Sequence, residues 1–304
     1  MAVGQSLVSG MQRAALAGVT AACGVLPWRV MLLAGAALGE LLYWLWPVMR
    51  RRVLANMQFA FQGEKSAAEL VSLARATYRH YGKVVLEMVS SLRLPEARLD
   101  RLVKMEGIEH AHAAIAQGRG VIVVSAHLGN WELAASQARL FPTRLNAVAR
   151  DQKGQQATHF LTRSRLLRGI HLVPRRNGYQ LALKRLQCKE AVAFLMDLNA
   201  GYKGLFVEFF GRLASTHRGP AALALETGAP ILFCFPRRNP DDTHTVLILP
   251  PFEVRRTGNT ERDLLYNTAA LTRVIEQQVR AYPDQWWWFQ RRWKHRPAWE
   301  EVEG

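Results

Sequence analysis

The 304-residue sequence predicts an α/β fold in which a mixed central sheet is flanked by helices and preceded by hydrophobic, membrane-associating helices. Three features carry that prediction. Short apolar runs recur from Val121 onward, helix-length amphipathic segments separate them, and the N-terminal stretch is far more apolar than the rest. A hydrophobic content of 49% is ample for a buried core and argues against wholesale disorder.

Residues 30–49, VMLLAGAALGELLYWLWPVM, carry Glu40 as their only charge and are followed at once by Arg50, Arg51 and Arg52. Twenty apolar residues suit a bilayer span with the arginines on the cytoplasmic side. Glu40 and Pro47 suit an in-plane or protein-buried hydrophobic hairpin equally well, and a helix buried in a soluble core is a third reading. Trp28, Tyr43, Trp44 and Trp46 flank the run, as rings with polar edges do at a membrane interface. The weaker apolar segment 14–27, with only Arg13 as a charged leader, fits a cleavable signal peptide poorly. Residues 1–60 are therefore assigned to an N-terminal membrane anchor and residues 61–304 to a globular domain.

From Lys65 to about Val89 the apolar positions Leu70, Leu73, Ala74, Thr77, Tyr81, Val84, Val85 and Met88 recur at helical spacing. A short helix follows Pro95. Seven strand-like runs come next: 121–126, 145–150, 171–174, 191–197, 205–210, 230–235 and 244–249. In sheets of this type, chemistry gathers where strands end. A last helix spans 262–281, ahead of the tail YPDQWWWFQRRWKHRP.

Forty Lys and Arg against 24 Asp and Glu give a net charge of +16, which points to an anionic partner: nucleic acid, anionic lipid or an acidic carrier protein. No nucleic-acid-binding motif accompanies the charge, and the apolar leader does not suit that partner. Cys23, Cys188 and Cys234 are scattered, which argues against a disulfide framework or a zinc site. His110 and His112 lie two apart on a helix and face different ways, so no metal and no cofactor is expected.

The stretch VVSAHLGNWE (123–132) ends a strand on His127 and places Glu132 five residues later. On one helix the two would diverge. A strand that turns through Gly129, with Asn130 as the N-cap, brings Glu132 into a first helical turn. Glu132 would then fix the tautomer of His127 and leave its other nitrogen free to take a proton. The alternative is a pair of ordinary loop polars. No Gly-x-Ser-x-Gly elbow exists, so a substrate hydroxyl activated directly by His127 is the simpler chemistry.

HLGNWE, together with FVEFFGRLASTHRGPAALALETGAPI and DQWWWFQRRWKHRP, resembles the bacterial lipid A biosynthesis acyltransferases of the lauroyl/myristoyl type, a branch of the lysophospholipid acyltransferase superfamily. The resemblance covers most of the chain. It implies an inner-membrane enzyme with its catalytic domain, residues 61–304, on the cytoplasmic face, moving a fatty acyl chain from acyl carrier protein or acyl-CoA to a lipid A precursor. His127 and Glu132 match the catalytic pair, and Arg150 and Asp197 match active-site positions. Asp151 after Arg150, Leu198 after Asp197 and Gln290 before Arg291 depart from the family pattern. They leave room for another acceptor, as in a lysophospholipid or aminolipid O-acyltransferase. A non-catalytic membrane lipid-binding protein is the reading from a different class.

Arg150 could clamp a phosphate or polarise a thioester carbonyl, or be a surface charge. Asp197 could orient Arg150 or the acceptor, or cap a strand. The stretch 211–220 is read as a loop leading into a helix at Pro220, with Arg212, Thr216 and Arg218 near backbone N–H groups suited to a lipid phosphate. Asn130 is expected near the substrate as well. In the tail, Trp286, Trp287, Trp288, Trp293 and Trp299 interleave with Arg291, Arg292, Lys294 and Arg296. That pattern fits an anionic bilayer surface better than nucleic acid, with at least one of the three consecutive tryptophans in the core.

Overall fold

The computed structural model describes Gly18 and residues 26–91, 94–149 and 155–297. Each strand-like run forms a strand. Seven strands, β1 (Val103–Glu106), β2 (Val121–Ser125), β3 (Leu145–Ala149), β4 (Ile170–Pro174), β5 (Ala191–Leu195), β8 (Ile231–Arg238) and β9 (His244–Ile248), build one sheet in the order β1-β9-β8-β2-β5-β3-β4. Neighbours are parallel except β8 and β9. The sheet is therefore mixed, as the sequence predicts. β1 escaped sequence reading because Val-Lys-Met-Glu is a four-residue edge with little apolar content.

Strands buried on both faces read as continuous apolar runs, and both faces here are covered. On one face Ile122, Val124, Phe233 and Val192 pack with Ala182 and Leu186 of helix α8 (Gly178–Gln187), with Ala221 and Ala224 of α9 (Gly219–Thr227), and with Leu271, Ile275 and Val279 of α10 (Thr260–Ala281). On the other, Val121, Val123 and Leu232 meet Ala111 and Ala114 of α5 (Ile108–Ala116). α4 (Glu96–Leu102) leads into the edge strand β1.

Residues 211–216, expected in a loop, instead complete a hairpin: β6 (Leu205–Phe209) pairs antiparallel with β7 (Arg212–Thr216). Phe210 and Gly211 both have positive φ, 55° and 70°, the backbone that a two-residue hairpin turn demands. Phe210 tolerates it because its ring is buried and its N–H donates to Glu276 Oε2 at 2.7 Å.

From Trp28 onward the described N-terminal residues form α1 (Trp28–Leu45) and α2 (Pro47–Ala60), both packed on α3 (Ala67–Ser91). α1 is long and apolar enough to cross a membrane. One side of it is nevertheless committed to protein: Met31, Leu32, Gly35, Gly39 and Tyr43 are buried, and Glu40 pairs with Arg75 (2.7 Å) and Arg79 (3.0 Å) of α3. The acid that interrupts the apolar run thus has two partners. Contacts from Met31 to Ser90 and from Gly39 to Tyr78 run the two helices antiparallel. Their backbones touch through glycine, as a Cβ on Gly82 would lie 1.9 Å from the Gly35 carbonyl oxygen and one on Gly39 2.0 Å from that of Tyr78. The opposite side of α1 leaves Leu33, Leu41, Trp44 and Leu45 exposed.

Gly82→Val is expected to push α1 off α3 and to cost about 1–3 kcal/mol, lowering Tm by several degrees in a thermal scan followed by circular dichroism. An unchanged Tm would mean that the glycine contact does not hold the helices together.

Candidate active site

β2 and β5 are parallel neighbours whose register pairs Ser125 with Leu195. His127 and Asp197 each follow two residues past those paired ends, so the sheet delivers both to one edge. His127 Nδ1 lies 2.8 Å from Asp197 Oδ1, and the His127 backbone N–H donates to Oδ2 at 3.0 Å. Trp286 Nε1 donates to the same oxygen at 2.8 Å. Asp197 is fully buried while the His127 side chain keeps 17% exposure. Burial alone would raise the Asp197 carboxyl, but its electrostatic and hydrogen-bonding interactions with His127 and the hydrogen bond from Trp286 outweigh it and hold it below the ordinary aspartate range. An ionised carboxylate only accepts hydrogen bonds, so His127 Nδ1 carries a proton, which puts the lone pair of the neutral ring on Nε2.

Glu132 does not make that bond. It lies in the first turn of α6 (Trp131–Ala134), and its carboxylate is taken by Arg165 of α7 (Gln155–Leu167), through Nε at 3.0 Å and through Nη2. Trp131, one residue earlier, instead packs its ring edge-on to His127 with centroids 4.9 Å apart. The expected orienting partner, Glu132, is thus replaced by Asp197. All the same, Glu132, Arg165 and His127 line one cavity of about 430 Å³, within the range of small-molecule sites. Its walls are mostly apolar, with Val123, Ala193 and Cys234 from the sheet and Ala138 and Phe141 from the turn after α6. Arg175 and His217 add polarity on another side. His217 is pushed down to about 4, chiefly by burial and then by Arg175.

The turn that carries His127 is braced from three directions. Gly129 has φ +54°, and a Cβ there would lie 2.5 Å from the Pro236 carbonyl oxygen, so only glycine fits. The tail lies alongside as a strand fragment: Trp287 N–H donates to the His127 carbonyl (3.0 Å) and Gly129 N–H to that of Gln285 (3.0 Å). From α3, the Tyr81 hydroxyl reaches the carbonyls of Gln285 (2.9 Å) and His127 (3.1 Å). Asn130 Oδ1 caps α6 by accepting from Leu133 N–H (2.9 Å), while its Nδ2 donates to Glu87 (2.8 Å). It is entirely buried, and its side chain is taken up by the turn and by Glu87 rather than lining the cavity.

Glu87 heads a buried ionic cluster that sequence reading missed. Arg238 binds it through Nη1 (2.8 Å) and Nη2 (2.6 Å), and His244 Nε2 approaches it at 3.1 Å. Burial opposes its charge, but His244 and Arg238 more than offset this and keep the carboxyl well below the usual range. His80 hydrogen-bonds the Gly129 carbonyl at 3.3 Å and is pushed down to about 3, first by burial and then by Arg238. Its ring is therefore neutral.

The remaining expected site residues separate. Arg150 and Trp299 lie outside the described residues. Arg212 stacks over Phe59 at 3.6 Å and donates to Gln62. Thr216 is buried, accepting from Arg292 Nη2 at 2.6 Å. Both are occupied by protein. Arg218 is exposed at the start of α9, beside the cavity-lining His217 and Gly219. In the tail, Trp286 and Trp288 are buried and Trp287 partly exposed, while Arg292 is buried against the β7 carbonyl of Ser215.

A family model described as bacterial lipid A biosynthesis acyltransferase matches residues 7–295. The chain is 28% identical over 283 residues to a lipid A biosynthesis palmitoleoyltransferase of Escherichia coli K12, covering 90% of this chain and 88% of the relative. It is likewise 28% identical over 278 residues to a lipid A biosynthesis lauroyltransferase of the same strain, again 90% and 88%. A phosphatidylinositol mannoside acyltransferase of Mycobacterium tuberculosis is 27% identical over 237 residues, covering 74% and 70%.

His80 and His217 both hold their folded values below the free-histidine value of about 6.5, so the unfolded chain binds more protons between roughly pH 6.5 and 4 and stability falls as pH drops through that window. Urea midpoints across this range are expected to fall in the wild type, and His80→Gln to remove about half of the slope. An equal slope in the variant would contradict the burial of a neutral His80.

Proposed function

This chain belongs to the bacterial lipid A biosynthesis acyltransferase family, and from that premise we propose that it moves a fatty acyl chain from acyl carrier protein to a hydroxyl of a lipid A precursor. What carries the proposal is the bond between His127 Nδ1 and Asp197, which leaves Nε2 as the free base of a side chain lining an apolar cavity. His127 Nε2 takes the proton of the acceptor hydroxyl as its oxygen attacks the thioester carbonyl. The tetrahedral intermediate then collapses, the C–S bond breaks, and the imidazolium returns the proton to the departing thiolate. No protein nucleophile and no cofactor enters the step.

Glu132 and Arg165 act together as the second element of the site. The guanidinium edge that holds Glu132 fixes Arg165 in the cavity wall, where its charge offsets the oxyanion that develops on the carbonyl. The apolar walls from Val123 to Phe141 take the acyl chain and keep water from the thioester. Arg175, which lines the cavity, and Arg218, exposed between the lining residues His217 and Gly219, attract the anionic acceptor. We place the catalytic domain on the cytoplasmic face of the inner membrane, with α1 as the membrane-facing element and residues 1–60 as the anchoring segment.

Mass spectrometry of total lipids from cells with and without the protein reads the acceptor directly. A gain of one acyl chain on lipid A is the expected result; a shift confined to phospholipids, aminolipids or another glycolipid would overturn that acceptor. In purified protein, His127→Ala and Asp197→Asn are expected to lower kcat by roughly 10²–10⁴-fold, the range for a general base and for the carboxylate that sets its tautomer. Full transfer by His127→Ala would sink the mechanism.

A further inference from the structure

An unbroken series of rings joins the exposed face of α1 to His127. Trp44, 59% exposed, meets Tyr43 edge-on with centroids 5.3 Å apart, and Tyr43 meets Tyr78 of α3 at 5.4 Å. Tyr78 meets Phe289 of the tail at 4.9 Å, and Phe289 meets Trp287 at 4.7 Å. Trp287 lies 6.4 Å from Trp131, whose ring abuts His127. Tyr43 and Tyr78 are buried and form the backing, while Phe289, Trp287 and Trp131 are partly exposed. The alternation of the tail produces this ledge: Trp286 and Trp288 point inward at 0% exposure, so Trp287 and Phe289 must face the other way.

We infer that this ledge is the track along which the acyl chains of a bilayer-resident acceptor lipid reach His127, so that the lipid is acylated without leaving the membrane. The inference rests on the proposed acyl transfer to a membrane lipid. Two features favour such a lipid as the occupant. The outermost ring, Trp44, stands on the exposed apolar side of α1 together with Leu41, Leu45 and Trp46. Its outer end is cationic, with Arg50 5.3 Å from the Tyr43 ring and 5.7 Å from Trp44, and Arg75 6.0 Å from Trp44, matched to an anionic headgroup. Rings packed mostly edge-on hold one another rigidly, and a rigid aromatic wall suits sliding hydrocarbon rather than a fixed polar ligand.

The test is photo-crosslinking of the full chain to vesicles of phosphatidylethanolamine and phosphatidylglycerol in which the phosphatidylglycerol carries a diazirine near its acyl terminus. Adducts are expected on Trp44 or Trp46 and also on Trp287 or Phe289, with none on Trp286 or Trp288. Adducts confined to α1 would overturn the track while leaving membrane docking intact; adducts on neither segment would overturn both. In turnover assays, Phe289→Ala is expected to raise KM for vesicle-borne acceptor severalfold, up to about tenfold, with kcat held, as loss of one aromatic contact allows. A raised KM for the acyl donor, or a fall in kcat alone, would contradict it.

Discussion

The hydrogen bond between His127 Nδ1 and Asp197 Oδ1, 2.8 Å long and backed by a wholly buried carboxylate, is the interaction on which the rest of the site depends. A carboxylate in that position is costly to desolvate, and three donors offset the cost: the imidazole, the His127 backbone N–H and the Trp286 indole. The acid and its two donor residues come from different parts of the chain. The end of strand β2 supplies His127, the end of strand β5 supplies Asp197, and the C-terminal tail supplies Trp286, so His127 is oriented only in the complete fold.

Charge as well as apolar packing lies beneath the turn. Glu87, Arg238 and His244 form a buried cluster in which Glu87 and Arg238 need each other, because removing one leaves an uncompensated buried ion. Through Asn130 this cluster holds the start of α6, and through Tyr81 the same helix α3 holds the His127 carbonyl. α3 also packs backbone to backbone against α1. A single helix therefore links the apolar helix α1 to the turn that carries His127.

Much of this was legible in the sequence, and the exceptions share a cause. The apolar runs gave the strands, and His127, Gly129 and Asn130 gave the turn and its cap, because these are local properties of consecutive residues. What sequence could not supply was which strands are neighbours. His127 and Asp197 both sit just past the ends of expected strands, yet only the β2–β5 pairing brings them together. Glu132 was the nearer acid along the chain, and proximity in sequence favoured it over the acid that is near in space. Arg165 was missed for the same reason, since it meets Glu132 only across the cavity. Glu87 did leave a trace: it lies three residues after Val84 on the apolar stripe of α3, where a charge must find a partner. The hairpin at Phe210 and Gly211 left little, because a phenylalanine at positive φ is not what a turn sequence advertises.

The tautomer of His127 tests the central claim most directly. Nitrogen-15 NMR of histidine-labelled protein, with the His127 signals identified by their loss in His127→Gln, reports which ring nitrogen carries the proton at neutral pH. A proton on Nδ1, held by Asp197, with an unprotonated Nε2 is the expected result. A proton on Nε2 with a bare Nδ1 would contradict it, because the nitrogen facing the substrate could then no longer act as the base.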